Sequence, residues 1–166
     1  MIRLIFFVTC LVLVSAQMPS MTHWRGLSPL KSTRMDVERT LGLPERKIDN
    51  RQHQMTYYLP DVTVFVYFYA NPKCEQKLPY TSWDVASDTV TAIDISIKHP
   101  PLVADIGIDL TKFKRIEGPS DMIGRYIYVN ADDGFSVEVG NKYVTNYHYR
   151  PGSKDEKLRC ERSDQP

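Results

Sequence analysis

The period-two pattern over 89–98, the cleanest in the chain, is the feature that most limits the folds open to this chain. Thr91, Ile93, Ile95 and Ile97 fall on one side of an extended segment. Ala92, Asp94, Ser96 and Lys98 fall on the other, because successive side chains of a strand point to opposite faces. The same period recurs at 62–69, where Val62, Val64, Val66 and Phe68 share one face and Thr63, Phe65, Tyr67 and Tyr69 the other. Both faces of that segment are bulky. It reads as a central strand covered on both sides, or as one whose aromatic face is a binding surface. A strand at 55–59 precedes it across a Pro60-Asp61 turn. Farther on, 125–130, 135–139 and 142–150 read as a three-strand meander with turns at 131–134 and at Gly140-Asn141. Phe135, Val137 and Val139 alternate with Ser136 and Glu138, giving one dry face and one wet face.

Against this background stands a short helix with both ends written into residues 32–44. Thr33 is placed to cap its N-terminus and Asp36, three residues on, to close a capping box. Val37 and Leu41, four apart, share a face. Gly42 suits a helix end and Pro44 forbids continuation. Such a helix has one obvious use, to cover the apolar face of the sheet. A second short helix is expected from Asp109 through Ile116, with Leu110 and Phe113 on one side. The expected fold is therefore α+β, short helices packed on antiparallel β-sheet. Two tandem αβββ units are the expected arrangement, with candidate halves 28–98 and 103–150, although few residues are identical between them.

Residues 1–16 have the form of a signal peptide: Arg3, an apolar run over 4–14, and Val14-Ser15-Ala16 before a cut at Gln17. The run is too short to span a bilayer. The remaining 17–166 is one domain's worth of chain, read as a single exported domain ending in a charged tail, 151–166. Residues 45–54 read as a charged link. Basic and acidic residues nearly balance, 21 against 20, which argues against nucleic acid or an anionic membrane surface as a partner. Cys74 and Cys160 remain after cleavage, and in an exported chain an even count points to a disulfide. That bridge would stabilise by about 4 kcal/mol through chain entropy. It would also tie the long 71–88 loop to the tail.

Most chemistry finds no footing here. There is no HExxH, no CxxC pair and no glycine-rich phosphate loop, and no serine stands in a GxSxG elbow. Residues 130–134 resemble half a calcium loop but lack the downstream glutamate. His23, His53, His99 and His148 are scattered, and His148, between Tyr147 and Tyr149, reads as a surface strand residue. His23-Trp24 lies in a polar N-terminal arm, where the Trp suits plugging the core edge. No cofactor, metal site or catalytic residue is expected. What stands out is tyrosine, 10 in the chain beside 2 Trp. Tyr offers large contact area and a polar tip, though it also suits half-buried strand positions. The candidate binding surface is Tyr67, Tyr69, Trp83, Tyr147 and Tyr149, together with the 71–88 loop.

The pattern Ser32-Thr33, Val37, Leu41-Gly42, Pro44 resembles the first repeat element of the SmpA/OmlA-type outer-membrane assembly lipoproteins and of β-lactamase-inhibitory-protein-like domains. The resemblance implies a non-catalytic protein that binds other proteins in the envelope or outside the cell. The chain departs from it at Cys10, where Phe7-Val8-Thr9 is a poor lipobox lead-in. Trp24-Arg25-Gly26, Pro29-Leu30, Ser32-Thr33-Arg34, Asp36-Val37-Glu38-Arg39, Trp83, Val85 and the 154–160 segment are similar to a group of uncharacterised exported bacterial proteins. That likeness implies that the Cys160 segment belongs to the domain. The expectation is an exported protein, periplasmic or secreted, acting as a non-enzymatic protein-binding or envelope accessory module. It would contact another envelope or extracellular protein and would not stay inserted in a membrane after signal cleavage. The alternative is a small secreted hydrolase whose site assembles from separated residues.

Overall fold

A computed structural model describes residues 20–44, 46–48, 53–70, 74, 83–117 and 124–160. The expected signal segment, most of the 71–88 loop and the end of the tail lie outside the described residues. The described residues build eight strands: β1 (Arg46–Ile48), β2 (Gln54–Tyr58), β3 (Val62–Phe68), β4 (Val90–Ile97), β5 (Lys114–Glu117), β6 (Arg125–Asn130), β7 (Phe135–Gly140) and β8 (Tyr143–Tyr149). They form one sheet in the order β1-β2-β3-β4-β8-β7-β6-β5, and every neighbouring pair is antiparallel. Each half of the chain is thus a four-strand meander, and the last strands of the two meanders, β4 and β8, zip the halves together.

The single α-helix among the described residues, α1 (Arg34–Leu41), has the caps its sequence spells out. The Thr33 hydroxyl accepts from the Asp36 N–H, and the Asp36 carboxylate accepts from the Thr33 N–H at 2.8 Å. At the other end Gly42, at φ +83°, donates its N–H to the Glu38 carbonyl at 2.9 Å. Val37 is fully buried in a core that includes Met55, Tyr57, Val64, Val66 and Phe68, and Leu41 is half-buried against that core. Burying a side chain like Val37 stabilises by roughly 1.5–3 kcal/mol. Residues 103–113 cover the other half of the same face. Ile106 and Leu110 are buried there, and Phe113 meets Phe135 edge-on with ring centres 6.2 Å apart.

That second cover corrects the α+β expectation. The protein is mainly β: an eight-residue helix and a few 3-10 turns accompany the sheet, so the units are not tandem αβββ repeats. Where a helix was expected over 109–116, Asp109 caps only a single 3-10 turn, Leu110–Lys112, by accepting from the Thr111 N–H at 3.1 Å. Phe113 is already extended, and Lys114–Glu117 pairs with β6 as a strand. One turn is too short to offset the cost of nucleating a helix, while the edge of β6 offers a full set of backbone partners. Likewise part of the 45–54 link is strand β1, paired to β2.

Cys74 and Cys160, 86 positions apart, form a disulfide with Cα atoms 5.5 Å from each other. The tail is also held by backbone. Gly134, in the β6–β7 turn, and Gly152 lie so close that a Cβ on either would overlap the other segment's main chain. Only glycine fits that crossing.

Candidate functional site

Because directly paired residues share a face, the pairing register lays out the two sides of the sheet. On the side beneath α1, Ile93 pairs with Tyr149 and Ile95 with Tyr147, and these in turn pair with Phe135 and Val137. On the reverse side the same strands carry polar rows. Phe65, Asp94, His148 and Ser136 form one row across β3, β4, β8 and β7, and Ser96, Asn146 and Glu138 form the next. The alternation of Ile with Asp and Ser in β4, and of Phe and Val with Ser and Glu in β7, produces this split.

The polar rows close into a network where the two meanders meet. His148 Nδ1 lies 2.8 Å from Asp94 Oδ1, and an Arg150 guanidinium nitrogen lies 2.7 Å from the same oxygen. His148 Nε2 faces Glu138 Oε2 at 3.7 Å. Glu138 accepts from the Asn146 amide at 2.8 Å and pairs with Arg125 at 3.2 Å. Asp94 and Glu138 are 19% and 14% exposed at the side chain, His148 23%, so the cluster is partly desolvated yet reachable. Burial by itself would raise the Asp94 carboxyl. Hydrogen bonds and charge from His148 and Arg150 outweigh that and hold it below the usual carboxylate range. Tyr67, beside it on β3, is pushed up, first by burial and then by the Asp94 charge.

Ser136, paired with His148, also lines a cavity of about 310 Å³ with Val129, Arg150, Gly152, Ser153 and Glu156. It forms where the tail folds back over the β6–β7 turn. A second cavity, about 370 Å³, opens among Trp24, Val62, Ile95, Ile97 and Tyr147, with Asp61 and His99 also lining it.

The five aromatic residues singled out in the sequence do not share one surface. Tyr67 stands beside the polar network. Tyr147 lines the apolar cavity with Trp24, and Tyr149 is buried against Phe135 with ring centres 5.0 Å apart. Tyr69 and Trp83 form a separate buried cluster with Leu30 and Val85, where the Trp83 backbone N–H donates to the Tyr69 hydroxyl at 3.3 Å. The Arg159 guanidinium lies over the Trp83 ring at 4.4 Å, next to the disulfide at Cys160. Sequence reasoning missed Asp94, Glu138, Asn146 and Arg150 as a group. Their signal was the wet half of each alternation, which does not say which strands will be neighbours.

Among the described residues no helix is long and apolar enough to cross a membrane. No group of three or more His, Cys, Asp or Glu among them is placed to hold a metal ion. No family model matches this chain, and no curated protein matches it. Among solved structures it is similar to a DUF4309 family protein, YjgB, from Bacillus subtilis subsp. subtilis str. 168. The two are 14% identical over 78% of this chain and 84% of that one, with a TM-score of 0.49.

Proposed function

We propose that this is an exported, non-enzymatic binding module that contacts an envelope or extracellular protein through the polar face of its sheet, around Tyr67, Asp94, His148 and Glu138. Export is supported by the signal-like residues 1–16 and by the Cys74–Cys160 disulfide, a bond that persists in oxidising compartments. The observation that carries the binding reading is the half-exposed, internally paired network at the β4–β8 junction. Its charges are already held in place, so a partner's polar groups would meet a fixed pattern, which lowers the ordering cost of association. Tyr67 adds a rigid aromatic contact of the kind that dominates interfaces. The test is a photo-crosslinker placed at Tyr67, with a control at exposed Met35 on α1, in cells that export the protein. The expected result is one protein captured from Tyr67 only, and lost when Asp94→Ala is added. Equal capture at both positions, or none at either, overturns the reading.

One observation favours a hydrolase as the second reading. Asp94, His148 and Ser136 stand in one row, the His–Asp contact is 2.8 Å, and Ser136 lines a cavity. That is the residue order of an acid–base–nucleophile relay. Against it, Nε2 of His148 is directed at Glu138. A fluorophosphonate probe separates the two readings: labelling abolished by both Ser136→Ala and His148→Ala would establish the hydrolase, and an unlabelled protein supports binding.

A further inference from the structure

β5 is the last strand of the sheet, and among the described residues its outer edge has no strand partner. All four of its residues are exposed, Ile116 to 44%. An open edge is a template for another strand. The sequence Lys114-Arg115-Ile116-Glu117 says which strand fits.

We infer that β5 is a self-pairing edge, and that two copies of this chain join β5 to β5 in antiparallel register about a two-fold axis through Ile116. A two-fold axis normal to the sheet keeps like faces together. It therefore pairs only residues an even number of positions apart, and each residue choice for the axis fixes one register. With the axis at Ile116, Arg115 of one copy faces Glu117 of the other, and the reciprocal pair forms by symmetry. Ile116 meets its own counterpart. With the axis at Arg115, two guanidinium groups oppose each other and Lys114 faces Ile116. Only the Ile116 axis matches both charges and apolar surface.

The sheet behind the edge supports the same register. Ile116 pairs with Ile127 on β6, so the join would run Ile127, Ile116, Ile116, Ile127 in one continuous apolar row. On the opposite face Arg115 lies 3.6 Å from the centre of the Tyr126 ring, and that cation–π contact holds the guanidinium over the sheet. The contact is isologous and closes at two copies. A four-residue edge buries little area, so the dimer is weak and forms at high local concentration.

The test uses the processed chain in sedimentation velocity across a wide concentration range. Wild type should pass from monomer to dimer. Arg115→Glu and Glu117→Arg should each weaken dimerisation by roughly 100-fold, because like charges then face each other. Each lies on an exposed strand, and unchanged circular dichroism and melting will verify that both variants fold. An equimolar mixture of the two single variants should dimerise like wild type, since each supplies the charges the other needs. The double swap R115E/E117R should do the same alone. A wild type that stays monomeric at its solubility limit overturns the inference. So do single variants that dimerise unimpaired, a mixture that stays monomeric, or a species larger than a dimer.

Discussion

The two faces of β4, β8 and β7 are made by the same strands, yet they are held by different forces. On one face Ile93, Ile95, Val137, Tyr149 and Phe135 are fully buried, and their contribution is non-directional apolar burial. On the other, Asp94, His148, Glu138, Asn146 and Arg150 depend on direction and charge. The first face tolerates any shape that fills it, within limits of volume. The second works only if every member is present, because a half-satisfied network leaves desolvated groups without partners. Stability therefore belongs mainly to the covered face.

The largest expected effect breaks the comparison at two adjacent residues of β7. Phe135→Ala should cost about 3–5 kcal/mol in urea unfolding, through lost burial and the cavity left beside Tyr149. Ser136→Ala, its neighbour on the opposite face, should stay within ~0.5 kcal/mol. Similar losses at both positions would erase the division of labour. Next in size is the bridge, which belongs to neither face. Cys74→Ser with Cys160→Ser should cost about 2–4 kcal/mol by the same measurement, since it acts on the unfolded chain.

Asp94→Asn sharpens the contrast, because it keeps shape and removes charge. It should cost ~1–2 kcal/mol near neutral pH, with His148 and Arg150 losing their shared anion. Its pH dependence carries a sign. The folded Asp94 carboxyl is held below its ordinary value. Its contribution is therefore complete above about pH 4 and is lost as pH falls through the depressed folded value. Wild-type and variant stabilities should converge on acidification, and curves that stay parallel would remove Asp94 from the account. The smallest of the destabilising effects is at the cover: Thr33→Ala should cost ~1 kcal/mol through the lost cap, read as a small drop in melting temperature.

How much of this was written in the sequence depends on the range of the interaction. The caps of α1 are local, three or four residues apart, and Thr33, Asp36 and Gly42 declare them. The faces of β3, β4 and β7 follow from period two alone. With two cysteines outside the expected signal segment, there was one intramolecular pairing to draw. The segment after Asp109 misled because Leu110 and Phe113, three apart, serve a 3-10 turn as well as a helix. What decided between them was a distant edge, β6. The polar network was invisible for a related reason. Asp94 and His148 lie 54 positions apart and meet only because β4 pairs with β8, a choice made by the whole sheet.

β8 is the last of the described strands in sequence but lies in the middle of the sheet. Without Tyr143–Tyr149, β4 and β7 would both present open hydrogen-bonding edges, because among the described strands β8 alone pairs one meander to the other.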